Sequence, residues 1–220
     1  MLVKASIIIP VYNAQNTIRR AIDSAVNQTT DEPYEVILIN DGSKDGSAAI
    51  LDAYASRYAY VRVIHQANQG ITRTRENGIR SARGEYVFWV DADDYADKHL
   101  LAKTLPLLES GADVVVYGTQ YFWENGGRAD NRIRKNISDA AYWKQQALNA
   151  NLSTIWTYGT RRAFWEGETV PSELARSGED GYMTIRIFDK ARGFRVLPDI
   201  LYYHLVESNI LGMLSFGIID

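Results

Sequence analysis

The stretch Glu85–Tyr95 reads Glu-Tyr-Val-Phe-Trp-Val-Asp-Ala-Asp-Asp-Tyr. Its apolar part, Tyr86–Val90, has the length of a buried β-strand, and three carboxylates follow within four residues, at Asp91, Asp93 and Asp94. Clustered like charges raise one another's pKa unless a cation lies among them, and carboxylate oxygens are the ligands that Mg²⁺ and Mn²⁺ prefer. The stretch therefore predicts either a divalent metal site at the C-terminal end of a strand, or a surface turn with a helix cap at Asp93 or Asp94.

The composition is that of an ordinary globular protein. The chain has 220 residues, of which 46% are hydrophobic and 23% charged, and its net charge of −3 gives no reason to expect a nucleic-acid partner. It has no cysteine, which excludes disulfides, zinc–thiolate sites and a cysteine nucleophile. Since no stretch reaches about 18 consecutive apolar residues and the N-terminus does not resemble a signal peptide, we expect no membrane span and a cytoplasmic protein.

Strands and helices alternate over the first part of the chain. Apolar runs predict strands at Ser6–Val11, Tyr34–Asn40, Val61–His65, Glu85–Val90 and Asp113–Tyr117. Apolar residues at helical spacing lie between them, and Asn13 or Asn16 is the expected cap of the first helix. Such alternation with short connections predicts an α/β fold with a doubly wound, mostly parallel sheet.

The pattern becomes less regular after residue 118. It predicts a hairpin around the Asn-Gly-Gly turn at 125–127, helices at Asp139–Ala150 and Tyr182–Lys190, a polar loop at Ser172–Gly181, and short strands at Phe194–Leu197 and Ile200–His204. The segment Leu152–Arg162 gives no clear signal. We therefore expect one continuous domain with an α/β half at 1–118 and a smaller, less regular half at 119–220.

Polar residues follow three of the predicted strands, at 10–13, 40–43 and 91–94. In a parallel sheet these strand ends share one edge, which is where ligands bind. The first strand is not followed by G-x-G-x-x-G, and the chain has no P-loop, which disfavours a dinucleotide oxidoreductase and a P-loop NTPase. A phosphate-bearing ligand would then need another partner, and a cation on Asp91 and Asp93 could neutralise a diphosphate leaving group.

Five ordered segments resemble the motifs of family 2 glycosyltransferases. They are Ser-Ile-Ile-Ile-Pro-Val-Tyr-Asn at 6–13, Asn-Asp-Gly-Ser-Lys-Asp-Gly-Ser at 40–47, Asn68 to Arg75 with Gly78, Trp-Val-Asp-Ala-Asp-Asp at 89–94, and Gly-Glu-Asp at 178–180. The resemblance is strong over 5–118 and thin beyond. It implies a GT-A fold with a smaller acceptor-side half, and an inverting transfer of a sugar from a nucleotide diphosphate, a UDP-sugar in the first place, to an acceptor hydroxyl.

The resemblance also implies which residues contact the nucleotide. Pro10 and Tyr12 should lie at the nucleotide, with Tyr12 on the base, and Asp41 should hydrogen-bond the base. Arg75 should reach the nucleotide or its diphosphate, and Asp91 the ribose or the water shell of the metal. The residues alone leave other interpretations open, since Asp41 could make an Asx-turn at Asp-Gly and an arginine on a helix is often a surface residue.

The implied metal and the implied base lie further along the chain. Asp93 should ligate Mn²⁺ or Mg²⁺, and Asp180 should be the general base, because inversion by a single displacement needs a carboxylate to take the proton of the acceptor hydroxyl. The late Tyr-x-Arg-x-His pattern of the family is poorly kept, since Leu205 and Glu207 stand near its Arg and His. His204 could replace that histidine as a metal ligand by a shift of one strand position, or it could simply be packed and hydrogen-bonded.

Aromatic and basic residues of the second half are candidates for the acceptor side. Tyr121, Phe122, Trp123, Trp156 and Trp165 are expected to be mostly core, with one or two at a sugar site. The basic run Arg132, Arg134 and Lys135 is either a solvated face or a contact for an anionic acceptor or membrane headgroups.

These observations favour a metal-dependent inverting glycosyltransferase of surface-polysaccharide synthesis. Its acceptor would be a glycan or a lipid-linked glycan, and peripheral membrane association and a homo-oligomer are open. A nucleotidyltransferase is an alternative, but it would need a glycine- and Arg/Lys-rich loop at Val11–Ala14, which this chain lacks. A non-catalytic nucleotide-sugar-binding module would predict a damaged D-x-D or Glu-Asp motif, and both are intact.

Overall fold

The computed structural model of the chain describes residues 2–123, 125–133, 137–149, 152–174 and 178–206. The strands are β1 (Ala5–Val11), β2 (Tyr34–Asp41), β3 (Val61–Gln66), β4 (Tyr86–Trp89), β5 (Tyr95–Ala96), β6 (Val114–Trp123), β7 (Arg128–Asn131), β8 (Tyr158–Arg161) and β9 (Phe194–Val206). The α-helices are α1 (Ile18–Val26), α2 (Ser47–Arg57), α3 (Ile71–Ser81), α4 (Leu100–Glu109), α5 (Ala140–Leu148) and α6 (Glu179–Lys190). None of the helices in these ranges combines the length and the apolar character needed to cross a lipid bilayer.

The nine strands within the described ranges belong to one sheet, in the order β3-β2-β1-β4-β8-β6-β9-β5, and β7 pairs with the second half of β6. The first four strands are mutually parallel, and β6 runs parallel to β9. The predicted α/β class with a doubly wound sheet is confirmed. Every residue of β1 and all but the first of β2 are buried, as expected for central strands covered by helices on both faces.

Helix α3 packs on β1 and β2, and Gly78 is the reason it can approach so closely. A Cβ atom at this position would lie only 2.6 Å from Cγ2 of Ile8 in β1. The helix backbone therefore lies almost on the sheet, and the predicted ligand residue Arg75, one turn earlier, is carried to the C-terminal ends of the parallel strands.

Strand β8, which the sequence did not predict, pairs antiparallel with both β4 and β6. It occupies part of the segment Leu152–Arg162 and follows a 3₁₀ turn at Ile155–Thr157. The ring of Phe88 leaves no room beside its second residue, because a Cβ on Gly159 would lie 2.2 Å from that ring. A four-residue strand that contains a glycine lacks the alternation from which strands are predicted.

Strand β9 is continuous where two short strands were expected. Its pairing with β6 jumps from Leu197, opposite Tyr117, to Ile200, opposite Gly118. Pro198 falls in this irregularity, which is one of the few places where a sheet accepts a proline. The bulge therefore reconciles the proline with a strand of 13 residues.

Two predicted helix starts are wrong. Helix α6 begins at Glu179, so that Glu179 and Asp180 form its first turn and not part of a loop, and Gly178 before it has a φ of 93°.

Helix α1 has Thr17 at its N-cap and no side-chain capping bond. The side chain of Asn13 instead accepts a hydrogen bond from Lys44 N–H at 2.8 Å.

Candidate active site

The C-terminal ends of β1 and β4 and the start of α3 surround an open cavity of about 710 Å³, here named the outer cavity. Five residues that the sequence predicted for the nucleotide and metal line it together: Pro10, Tyr12, Arg75, Asp91 and Asp93. The ring of Tyr12 is 49% exposed, so an apolar face is available to a planar ligand.

Backbone hydrogen bonds fix the loop after β1 against the loop after β2. Asn13 N–H donates to Ser43 Oγ at 3.0 Å, and Ala14 N–H donates to Ser47 Oγ at 2.9 Å. Asn13 is in the left-handed region, with a φ of 51°, which asparagine tolerates better than most residues. The rim of the outer cavity is therefore tied down on both sides.

Asp41 does not line the outer cavity. It is 3% exposed, and its carboxylate accepts hydrogen bonds from Gln66 Nε2 at 2.8 Å, Gln69 N–H at 2.8 Å and Gly70 N–H at 2.9 Å. The carboxylate thus orders the turn that leads into α3. That Asp41 hydrogen-bonds a nucleobase stays a prediction.

Arg75 is the centre of the charged cluster. Its Nη1 donates to Glu179 Oε1 at 3.2 Å and also to Asp180 Oδ1, while Nη2 donates to Asp91 Oδ1 at 3.3 Å. The side chain is only 12% exposed, so Arg75 is not the surface residue that the sequence left open. One guanidinium therefore joins the D-x-D turn to the Glu-Asp pair at the start of α6.

A second, more enclosed cavity of about 280 Å³, the inner cavity, lies between α3, α6 and the segment 162–170. Arg75 lines both cavities, but Asp180 lines only the inner one, whose walls also include Trp165 and Met183. The acids of the D-x-D turn and the predicted base therefore face different spaces, with Arg75 between them.

Burial raises the pKa of Asp180 to about 7, against the opposing effect of Arg75 and with a further contribution from Asp91 and Glu179. A carboxylate with a pKa near neutrality can both take and hold a proton at neutral pH, which a general base requires. The pKa of Asp93 is raised to about 6, first by burial and then by the charges of Asp94 and Asp91.

Asp94 is wholly buried and does not cap α4, whose N-cap is His99. Its carboxylate accepts hydrogen bonds from Tyr202 Oη at 2.8 Å, His204 Nδ1 at 2.9 Å and Leu205 N–H at 2.8 Å. All three donors come from β9, which the sequence could not place beside a turn more than 100 positions earlier.

The residues present fit a cation that a diphosphate helps to hold. Among the described residues, no three His, Asp or Glu side chains are arranged to hold a metal by themselves. Burial lowers the pKa of the His204 imidazole, but the hydrogen bond and the charge of Asp94 raise it, with smaller contributions from Asp91 and Asp93, and the net effect is a raised pKa. The two carboxylates of the D-x-D motif therefore lie near the imidazole. Mg²⁺ is commonly bound through one or two carboxylates plus substrate phosphates.

Fewer of the aromatic candidates are core residues than expected, and contact with a sugar stays a prediction. Trp156 and Trp165 are core residues, while Tyr121, Phe122 and Trp123 are half-buried. Of the basic run, Arg132 pairs with Asp130 at 3.1 Å. Arg134 and Lys135 lie outside the described residues, as does the segment 207–220, which includes Glu207 of the late motif.

Comparison with known protein families agrees with the resemblance of the motifs. The family described as glycosyl transferase family 2 matches residues 6–167. The chain belongs to this family.

The chain is also similar to individual proteins of known sequence or structure. The uncharacterized glycosyltransferase EpsJ of Bacillus subtilis (strain 168) is 31% identical over 96% of this chain and 63% of its own length. Poly(ribitol-phosphate) beta-glucosyltransferase of Bacillus spizizenii is 29% identical over 94% of this chain and 33% of its own length. The crystal structure of S. aureus TarS 1-349 in complex with UDP-GlcNAc superposes with a TM-score of 0.76, at 25% identity, over 92% of this chain and 58% of that one. The chain thus spans less than two thirds of each of these relatives.

Proposed function

We propose that this chain is the catalytic domain of a metal-dependent, inverting glycosyltransferase that uses a UDP-sugar and extends a surface glycan or a lipid-linked glycan at the cytoplasmic face of the membrane. The observation that carries the proposal is the position of Arg75, which joins the D-x-D acids of the outer cavity to Asp180 of the inner cavity. The binding of UDP-GlcNAc by TarS supports the donor class. The printed activity of poly(ribitol-phosphate) beta-glucosyltransferase supports a surface polymer as acceptor.

The outer cavity would hold the nucleotide, with Tyr12 on the base and Asp91 toward the ribose. Asp93 and His204 would hold the cation, and when bound it would supply positive charge to the departing diphosphate. Arg75, already beside Asp91, would add a fixed positive charge on the same side.

Asp180 would accept the proton of the acceptor hydroxyl, which reaches it from the inner cavity. The hydroxyl oxygen forms a bond to the anomeric carbon as the bond from that carbon to the diphosphate oxygen breaks, and the proton ends on the carboxylate of Asp180. Because attack is opposite the leaving group, the anomeric configuration inverts. No covalent enzyme intermediate is needed, in keeping with the absence of cysteine.

The test compares Asp180→Asn and Asp93→Asn with Asp52→Asn, a control on α2 whose side chain is exposed. We expect Asp180→Asn to lower sugar transfer by about 10²- to 10⁴-fold while Mn²⁺-dependent UDP binding, measured by calorimetry, is kept. Asp93→Asn should lose both sugar transfer and Mn²⁺-dependent UDP binding, and Asp52→Asn should keep both.

Loss of UDP binding in Asp180→Asn would contradict its role as base, and unchanged turnover in Asp93→Asn would contradict the metal assignment. A wild-type protein that binds UDP-sugars but neither transfers nor hydrolyses the sugar would instead be a binding module. Release of pyrophosphate from UTP and a sugar phosphate would favour a nucleotidyltransferase.

A further inference from the structure

A buried cluster ties strand β9 to the D-x-D turn. We define it as Asp94, Tyr202 and His204 and name it the Asp94 cluster. The hydroxyl of Tyr202 donates to Asp94 Oδ2 at 2.8 Å and also accepts the backbone N–H of Asp91 at 3.0 Å. One tyrosine oxygen therefore bridges the first and the last acid of the turn.

The same carboxylate fixes the ring of His204. Nδ1 of the imidazole lies 2.9 Å from Asp94 Oδ2, the ring stacks on Trp156 at a centroid distance of 4.9 Å and an angle of 14°, and Tyr121 packs edge-on against it. In the neutral imidazole, a hydrogen bond from Nδ1 to a carboxylate determines the tautomer and leaves the lone pair on Nε2. Stacking removes the remaining freedom of the ring to rotate.

The cluster also gives a structural reason why His204 could replace the histidine of the late Tyr-x-Arg-x-His motif. In the register of β9, Tyr203 lies opposite Tyr95, just after the D-x-D turn, so its neighbours Tyr202 and His204 have their side chains on the other face of the strand. Both of these side chains meet Asp94. A histidine at 204 is thereby placed at the acid turn without the family's later histidine.

We propose that Asp94 and Tyr202 are positioning residues, which orient His204 and the Asp91–Asp93 turn so that a divalent cation and a nucleotide diphosphate are bound together. The inference rests on the proposed function, because it assumes a cation at Asp93. Asp94 contacts neither ligand in this proposal and acts only through the groups that it holds.

The experiment measures UDP affinity by calorimetry with and without Mn²⁺, in wild type, Tyr202→Phe and Tyr117→Phe. Tyr117 is a matched control, because it is also a buried tyrosine, on the neighbouring strand β6, and its hydroxyl has no hydrogen-bond partner in the described structure. We expect the gain in UDP affinity that Mn²⁺ confers to fall by about 10- to 100-fold in Tyr202→Phe, the range for removal of a group that orients a metal ligand. Affinity for UDP without Mn²⁺ should fall much less than this gain does, and Tyr117→Phe should match wild type in both.

A purely structural role would lower the melting temperature and would weaken UDP binding equally with and without Mn²⁺, and this result would overturn the proposal. So would an unchanged Mn²⁺ effect in Tyr202→Phe. If Mn²⁺ confers no gain on the wild type, the metal dependence in the proposed function has failed, and the two failures are thus distinguishable.

A double variant tests the route of the effect. In a His204→Ala background, Tyr202→Phe should reduce the Mn²⁺-dependent gain in UDP affinity by less than it does in wild type. The reason is that the proposed effect of Tyr202 passes through the His204 imidazole, which is already absent. Fully additive losses would contradict action through His204. Asp94→Asn, which keeps the size of the side chain, should resemble Tyr202→Phe. It is used because Asp94→Ala leaves three donors unpaired, of which the Tyr202 hydroxyl is buried, and endangers folding.

Discussion

At the scale of the residue, the pKa of Asp180 depends on a balance between burial and Arg75. Burial raises it and the guanidinium lowers it, with a result of about 7 in the ligand-free protein. As the proposed base, Asp180 must be unprotonated, so we expect the rate to fall as the pH drops through this value. The pKa of Asp93 is raised to about 6, so the protein takes up a further proton on Asp93 below this pH.

We therefore expect kcat/KM, which reports groups of the free enzyme, to rise with pH and to reach half its plateau near pH 7. Arg75→Met should move this limb to higher pH, because the opposing positive charge is gone. The measurement is a pH–rate profile of donor and acceptor turnover for both proteins. A limb that stays in place, or moves to lower pH, would show that Arg75 does not act on the base.

The sequence named five residues that the structure brings to one cavity, but it did not predict the partners of these residues. Pro10, Tyr12, Arg75, Asp91 and Asp93 were named from motifs and do line one cavity. The pairing of Arg75 with Asp180 joins positions 105 apart, and local patterns contain no information on such contacts. Tyr202 was missed because a tyrosine in an apolar strand reads as core, and only its contact with Asp91 and Asp94 reveals another role.

At the scale of the element, α3 is the support of the site, and its position depends on the absence of a side chain at Gly78. The apolar runs predicted the bounds of β1, β2 and β3 to within one residue. They did not predict β8 or the single strand β9, because a four-residue strand and a proline-containing strand are stabilised by neighbours distant in sequence.

Gly78→Ala should destabilise the protein by about 1–3 kcal/mol, the usual cost of overpacking, although alanine favours a helix more than glycine does. The Cβ would overlap Ile8 and push Arg75 away from the strand ends. Urea denaturation measures the change in the free energy of unfolding. Gly181→Ala in α6 is the matched control, because its Cβ would meet only Ser153 at an ordinary 3.6 Å, and it should leave stability unchanged or slightly raised.

If Gly78→Ala proves as stable as wild type, then α3 can move away from β1 without loss, and the close approach is not what positions Arg75.

At the scale of the whole molecule, the candidate site takes residues from both ends of the described chain. The residues proposed for the nucleotide lie before position 94, whereas the proposed base and the imidazole of His204 belong to α6 and β9. Strand β6 runs across position 118, so the sheet is continuous there. The division into an α/β half at 1–118 and an acceptor half at 119–220 stays a prediction.

Ligand binding should therefore protect distant segments together. With UDP and Mn²⁺, we expect slower amide hydrogen exchange in β4–β5, in the first turn of α6 and in β9, and little change in the far end of α4. UDP or Mn²⁺ alone should protect less, because no complete metal site exists among the described residues. At 100 times the Kd the ligands should stabilise the fold by about 2.7 kcal/mol, and protection confined to residues before 118 would contradict a shared site.

Arg75 also limits how freely the two parts of the chain can be exchanged during evolution or engineering. A segment 119–220 grafted from a relative brings its own Glu-Asp pair but not the arginine that faces it, since Arg75 belongs to the first 118 residues. A graft that shifts α6 slightly would leave the guanidinium facing Asp91 alone and the proposed base without its counter-charge. We therefore expect chimeras to function only where the Arg75–Asp180 contact is kept.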